Sequence, residues 1–138
     1  MKTTVIALTF IWVGMVLAIS FLEAPLKFQA PNITTELGLG IGRIVFTALN
    51  TVELVIAAVI AIGLFRNTRP LTEHWPYAIP LSILFVQSVW LLPALTRRLD
   101  LILAGETLPS SYHHVLFIVL EVSKVVGLLV AGVRFSKS

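Results

Sequence analysis

Cysteine is absent from the 138 residues. Disulfides, thiolate metal ligands and cysteine nucleophiles are excluded together. Charge is scarce: Asp, Glu, Lys and Arg make up 12% of the chain, against about 25% in a soluble domain. No internal repeat, low-complexity linker or alternating period-two pattern interrupts the sequence, which argues against a transmembrane β-barrel. The glycines of Leu37-Gly38-Leu39-Gly40-Ile41-Gly42-Arg43 lack the lysine and preceding strand of a phosphate loop. They read instead as small residues that let helices approach. No Ser-His-Asp arrangement and no Glu-x-x-His pair of a di-iron bundle is evident. Enzymatic activity is therefore left open, and no cofactor is assigned.

What is present is apolar sequence, 57% of the chain. With about 20 residues per span, four spans and short loops use the whole length, leaving no room for a separate soluble domain. The expected fold is all-α: a single transmembrane domain over 1–138, a polytopic four-helix bundle with helices at about 3–22, 38–65, 75–96 and 112–133. The first run is long enough to span and is read as a retained helix rather than a cleaved leader. Pro25 is expected to end it, so that Glu23–Leu37 forms a loop with a cap-like Thr34-Thr35-Glu36. Pro93 lies near the end of the third run, and Arg97–Ser111 is expected to be the second long loop. Trp75, Tyr77 and Tyr112 fall at span ends, where interfacial aromatics belong.

The net charge of +3 comes from residues flanking the spans. It speaks of lipid headgroups and topology, with no nucleic acid implied. Lys2, Arg66, Arg69, Arg134 and Lys137 fall on one side, Lys27, Arg97 and Arg98 on the other. The bias favours both termini in the cytoplasm of a plasma or inner membrane, by a margin small enough to leave an inverted or dual topology open.

Two runs, Thr3–Leu22 and Trp75–Thr96, carry no charge. The other two do: Arg43 and Glu53 in the second, Glu121 and Lys124 in the fourth. A charge at the bilayer centre costs roughly 2.5–3.5 kcal/mol on insertion scales, so such residues usually face the bundle interior and pair. At about 1.5 Å per residue, Asn50, Glu53 and Lys124 share one layer. Gln87 and Glu121 share the next, with Arg43 in reach. Arg43, Asn50 and Glu53 lie on one side of their helix, as do His114, Phe117, Glu121 and Lys124 on theirs. The expected pairs are Glu53 with Lys124 and Arg43 with Glu121. These six residues, Arg43, Asn50, Glu53, Gln87, Glu121 and Lys124, form the candidate binding site. An outer rim of Glu23, Lys27, Arg97, Asp100 and His114 is set beside it. The plainer alternative is structural: Glu121 and Lys124 pair within one helix, Arg43 snorkels, and Asn50 and Gln87 are interhelical glue. His113 and His114 lie at the face opposite His74, which argues against a bis-histidine haem, and no spacing marks a metal site.

The run Arg43-Ile44-Val45-Phe46-Thr47-Ala48-Leu49-Asn50-Thr51-Val52-Glu53 resembles the second-helix motif of the MAPEG family, membrane proteins of eicosanoid and glutathione metabolism. The match is an Arg, an Asn seven residues on and a Glu three further. Phe46 and Leu54 stand where that family usually has an arginine and an aromatic residue. The resemblance implies a trimer that uses glutathione on a lipophilic substrate, with Asn50 and Glu53 as ligand contacts and Arg43 nearby. The three function classes are thus binding or transport of an ion or small solute, a MAPEG-like enzyme or binder, and an accessory subunit. The bilayer is the expected partner in each, and a homo-oligomer the expected assembly.

Overall fold

The computed structural model describes residues 2–66, 74–105 and 113–137, with the side chains of His113 and His114 outside that description. Among the described residues there is no strand. Four helices among them are long and apolar enough to cross a membrane: α1 (Lys2–Gln29), α2 (Thr35–Arg66), α3 (Trp75–Leu103) and α4 (His113–Lys137). The chain is an integral membrane protein of four-helix-bundle type. One end of the bundle carries Lys2, Arg66, Trp75 and Lys137 and is called here the terminal end. The 30–34 connection and the start of α4 lie at the other.

Each helix buries a stripe at three- and four-residue spacing. On α1 it is Val5, Thr9, Trp12 and Val16; on α2, Leu49, Glu53, Ile56 and Ile60. On α3 it is Tyr77, Pro80, Leu84, Gln87 and Leu91; on α4, Glu121, Lys124, Leu128, Ala131 and Phe135. The opposite faces are apolar as well, as lipid-facing surfaces must be, so apolar periodicity alone does not mark the core. The stripes close into a packed terminal half around Trp12, Ile60, Tyr77, Leu128 and Phe135. Lipid tails are as apolar as leucine, so close packing and hydrogen bonds hold these helices together. Tyr77 is in this core and not at the interface: its OH lies 2.8 Å from Thr9 Oγ1, and its ring meets Phe135 edge-on at 5.9 Å. The 3-10 turn at Trp75–Tyr77, with Pro76 inside it, aims the ring inward. Trp75 stays half exposed beneath Arg134, and Tyr112 lies outside the described residues.

Two expected breaks are absent. α1 runs past Pro25 to Gln29, and α3 runs past Pro93 to Leu103, so Arg97 and Asp100 stand on a helix rather than in a loop. The reason is the same in both. A wide π-helical turn, Leu17–Glu23 in α1 and Gln87–Leu91 in α3, immediately precedes the proline segment. The Ala24 N–H reaches back five residues to the Ile19 carbonyl, and the Leu92 N–H to that of Gln87. Widening the ladder relieves the clash between a proline ring and the carbonyl four residues back, and spares the missing N–H. α2 begins at Thr35, three residues earlier than expected, because Thr34 Oγ1 accepts the Leu37 N–H at 3.1 Å and caps it.

At Gly132, α4 packs closely against α1. A Cβ there would lie 3.0 Å from the Phe10 ring and 3.1 Å from the Thr9 methyl, and Thr9 is fixed by its bonds to Tyr77 and the Val5 carbonyl. Gly132→Leu is expected to destabilise the bundle by about 1–3 kcal/mol, the usual cost of overpacking. Gly14, with open space around it, should tolerate alanine or gain from its higher helix propensity. Thermal unfolding in mild detergent checks the pair. Equal melting temperatures for the two variants would contradict this packing.

Candidate functional site

The polar members of the four stripes meet midway along the bundle. Lys124 is fully buried on α4, and its Nζ lies 2.5 Å from Glu53 Oε2 of α2, 2.6 Å from Glu121 Oε1 one turn earlier on α4, and 2.8 Å from Gln87 Oε1 of α3. The ammonium donates hydrogen bonds to Glu53 and Gln87 and forms an ion pair with Glu121. The carboxylates are held in turn. Trp12 Nε1 donates to Glu53 Oε2 at 2.7 Å. Gln87 Nε2 donates to Glu121 Oε1 at 2.9 Å, and Ser20 Oγ donates to Glu121 Oε2 at 2.6 Å. All four helices contribute. Two carboxylates face one ammonium, so the cluster has a formal place for one further positive charge.

The π-helical turns supply part of this geometry. Ser20 belongs to the turn in α1, Gln87 and Ser88 to the turn in α3. A π turn carries an extra residue and rotates the helix beyond it, which is why such turns recur at functional sites. Ser88 Oγ donates to Asn50 Oδ1 at 2.9 Å, placing Asn50 beside the cluster and outside its direct contacts. Arg43 does not pair with Glu121. It forms an exposed ion pair with Asp100 of α3, because the continuation of α3 beyond Pro93 brings Asp100 opposite it. Glu121 meanwhile is taken by Lys124, Gln87 and Ser20. The three residues of the Arg43…Asn50…Glu53 motif thus hold three different partners.

Beyond the cluster, toward the end carrying Arg43, the four helices separate around a cavity of about 580 Å³. Ser20 and Glu121 form its floor; Phe21, Leu39, Phe46, Leu95, Leu99 and Phe117 are among its walls. Phe46 and Phe117 meet edge-on at 5.6 Å across it. Of the expected rim, Lys27 lines this vestibule and Asp100 holds Arg43. Glu23 sits one turn before Lys27 with a buried Oε2 that has no hydrogen-bond partner. Arg97 is exposed, and the neighbouring Arg98 takes the place on the wall. The His114 side chain lies outside the described residues. Among those described, no three His, Asp or Glu side chains gather closely enough to hold a metal.

Trp12, Ser20 and Ser88 are the members that sequence reasoning misses. All three sit in the charge-free runs. Ser20 and Ser88 carry a usable signal: each is a small polar residue five positions before a proline. Comparison with protein-family models, curated proteins and solved structures finds no match to this chain.

Removing Lys124 alone leaves two carboxylates buried without their cation. Lys124→Met is expected to cost about 3–5 kcal/mol, as breaking a buried ion pair usually does. The triple change Lys124→Met, Glu53→Gln, Glu121→Gln removes every charge and should recover most of that loss. Denaturant titration of the purified variants measures both. A triple variant no more stable than Lys124→Met would show that charge balance does not hold this layer together.

Proposed function

We propose that this membrane protein binds and moves a small solute or ion, with Glu53, Glu121 and Lys124 as the internal site and the vestibule as the route to it. One observation carries the reading: Glu121 belongs both to the vestibule floor and to the buried cluster. A cation or proton arriving through the vestibule meets Glu121 first. Binding there competes with Lys124, which keeps Glu53 and Gln87 as partners when Glu121 is withdrawn. The excess of carboxylate over ammonium favours a positive visitor. On the Lys and Arg bias, the vestibule faces away from the cytoplasm and both termini lie inside. We take the working assembly to be a homo-oligomer, because the packed terminal half of one bundle offers no wide passage.

The close pairing of Lys124 with Glu53, Glu121 and Gln87 supports a second reading, an accessory subunit whose charges only specify packing. Proteoliposomes loaded with a pH-reporting dye separate the two. The transport reading expects wild-type protein to dissipate a pH or cation gradient faster than empty vesicles. Glu121→Gln should lower that rate at least about tenfold, equivalent to 1.4 kcal/mol, with its melting temperature preserved. Wild-type vesicles no leakier than empty ones would leave the accessory role. Native mass spectrometry reports the stoichiometry, and a trimer retaining glutathione would instead support the MAPEG-like enzyme.

A further inference from the structure

We infer that the vestibule is a binding site for an acyl chain that carries an anionic headgroup. The inference rests on the vestibule being a ligand-facing space, as in the transport reading, and does not require flux. Its volume, about 580 Å³, lies within the range of roughly 300–1,000 Å³ typical of small-molecule pockets. Its walls are aromatic and aliphatic, so a bare hydrated ion gains little from them. A ligand that fills this space must bring an apolar body.

The charges fix which end of that body goes where. Among the described residues, four ionisable side chains line the cavity: Lys27, Arg43, Arg98 and Glu121. Arg43 is matched by Asp100, and Glu121 by Lys124 and Ser20. Lys27 is held differently. Its ammonium lies over the faces of Phe28 and Phe46, 5.4 and 5.7 Å from their centroids, and among the described residues no carboxylate pairs with it. Gly42 makes this placement fit, since a Cβ there would come within 2.9 Å of Lys27 Nζ. Donors of an ammonium seated on two rings remain available to an oxyanion, and such charge-assisted bonds are roughly twice as strong as neutral ones. Glu121 at the floor repels the same headgroup. The headgroup therefore sits at Lys27, and the chain lies against the walls that Phe46, Leu99 and Phe117 provide.

The same chemistry can come from a free acid or from an anionic phospholipid. The test uses dodecanoate carrying a mid-chain diazirine, with full-length protein in phosphatidylcholine nanodiscs. Irradiation is expected to label wall residues such as Phe46, Leu99 and Phe117. The matching diazirine alcohol should not label them. Lys27→Gln and Gly42→Leu, which fills the ammonium's seat, should each cut wall labelling about tenfold. Protection by unlabelled dodecanoate alone assigns the free acid; protection by phosphatidylglycerol in the disc assigns the lipid; both support the site. Labelling confined to outward residues such as Val115 and Val119, equal labelling by the alcohol, or folded variants that label like wild type would overturn it. Wall labelling without ion flux leaves this inference standing and removes the transport reading; flux without wall labelling does the reverse.

Discussion

A lysine ammonium midway across a membrane has three N–H bonds to satisfy and no bulk water to satisfy them with. Lys124 solves this with Glu53, Glu121 and Gln87, drawn from three helices. Much else depends on that need. α2 must present Glu53 at the height where α4 presents Lys124, and α1 must bring Trp12 to share Glu53 Oε2. Gln87 serves twice, accepting from the ammonium and donating to Glu121, which fixes the orientation of its amide. The lateral register of the bundle is thus set at one polar layer, while the apolar rows on either side of it tolerate many pairings.

The bundle differs on the two sides of that layer. Toward the termini the stripes interlock around Trp12, Tyr77 and Phe135. Toward the other end the walls open and aromatic edges replace interdigitated side chains. Both wide turns fall where this change occurs, each followed by a proline that a regular helix would not accept. A proline within a span is tolerated when the freed backbone groups find other partners. Here the N–H just before each proline, on Ala24 and on Leu92, donates to a carbonyl five residues back in place of four.

The four spans and the Glu53–Lys124 contact are readable from the sequence, because a charge inside an apolar run has few places to go and helix rise gives its depth. Glu121 as a second partner of Lys124 is readable only as the plainer intrahelical alternative, and both pairings hold at once. Arg43 is misassigned from sequence for a local reason: ending α3 near Thr96 removes Asp100 from its reach. That error begins with Pro93, since a proline reads as a stop unless a π turn precedes it, and no residue type announces a π turn. Tyr77 is misplaced because an aromatic at a span end is legible as interfacial, whereas its bond to Thr9 is a tertiary fact. The vestibule has no signature at all, since its walls have the composition of any lipid-facing surface.

The vestibule also changes where a transmembrane voltage acts. Wherever water fills it, the potential of the adjoining bath extends down to Glu121, and most of the drop falls across the packed terminal half. One elementary charge crossing the full potential exchanges about 2.3 kcal/mol per 100 mV. A charge moving between Glu121 and the terminal end would therefore traverse most of that field over only half the membrane's thickness. One moving between Glu121 and the vestibule's bath would traverse almost none.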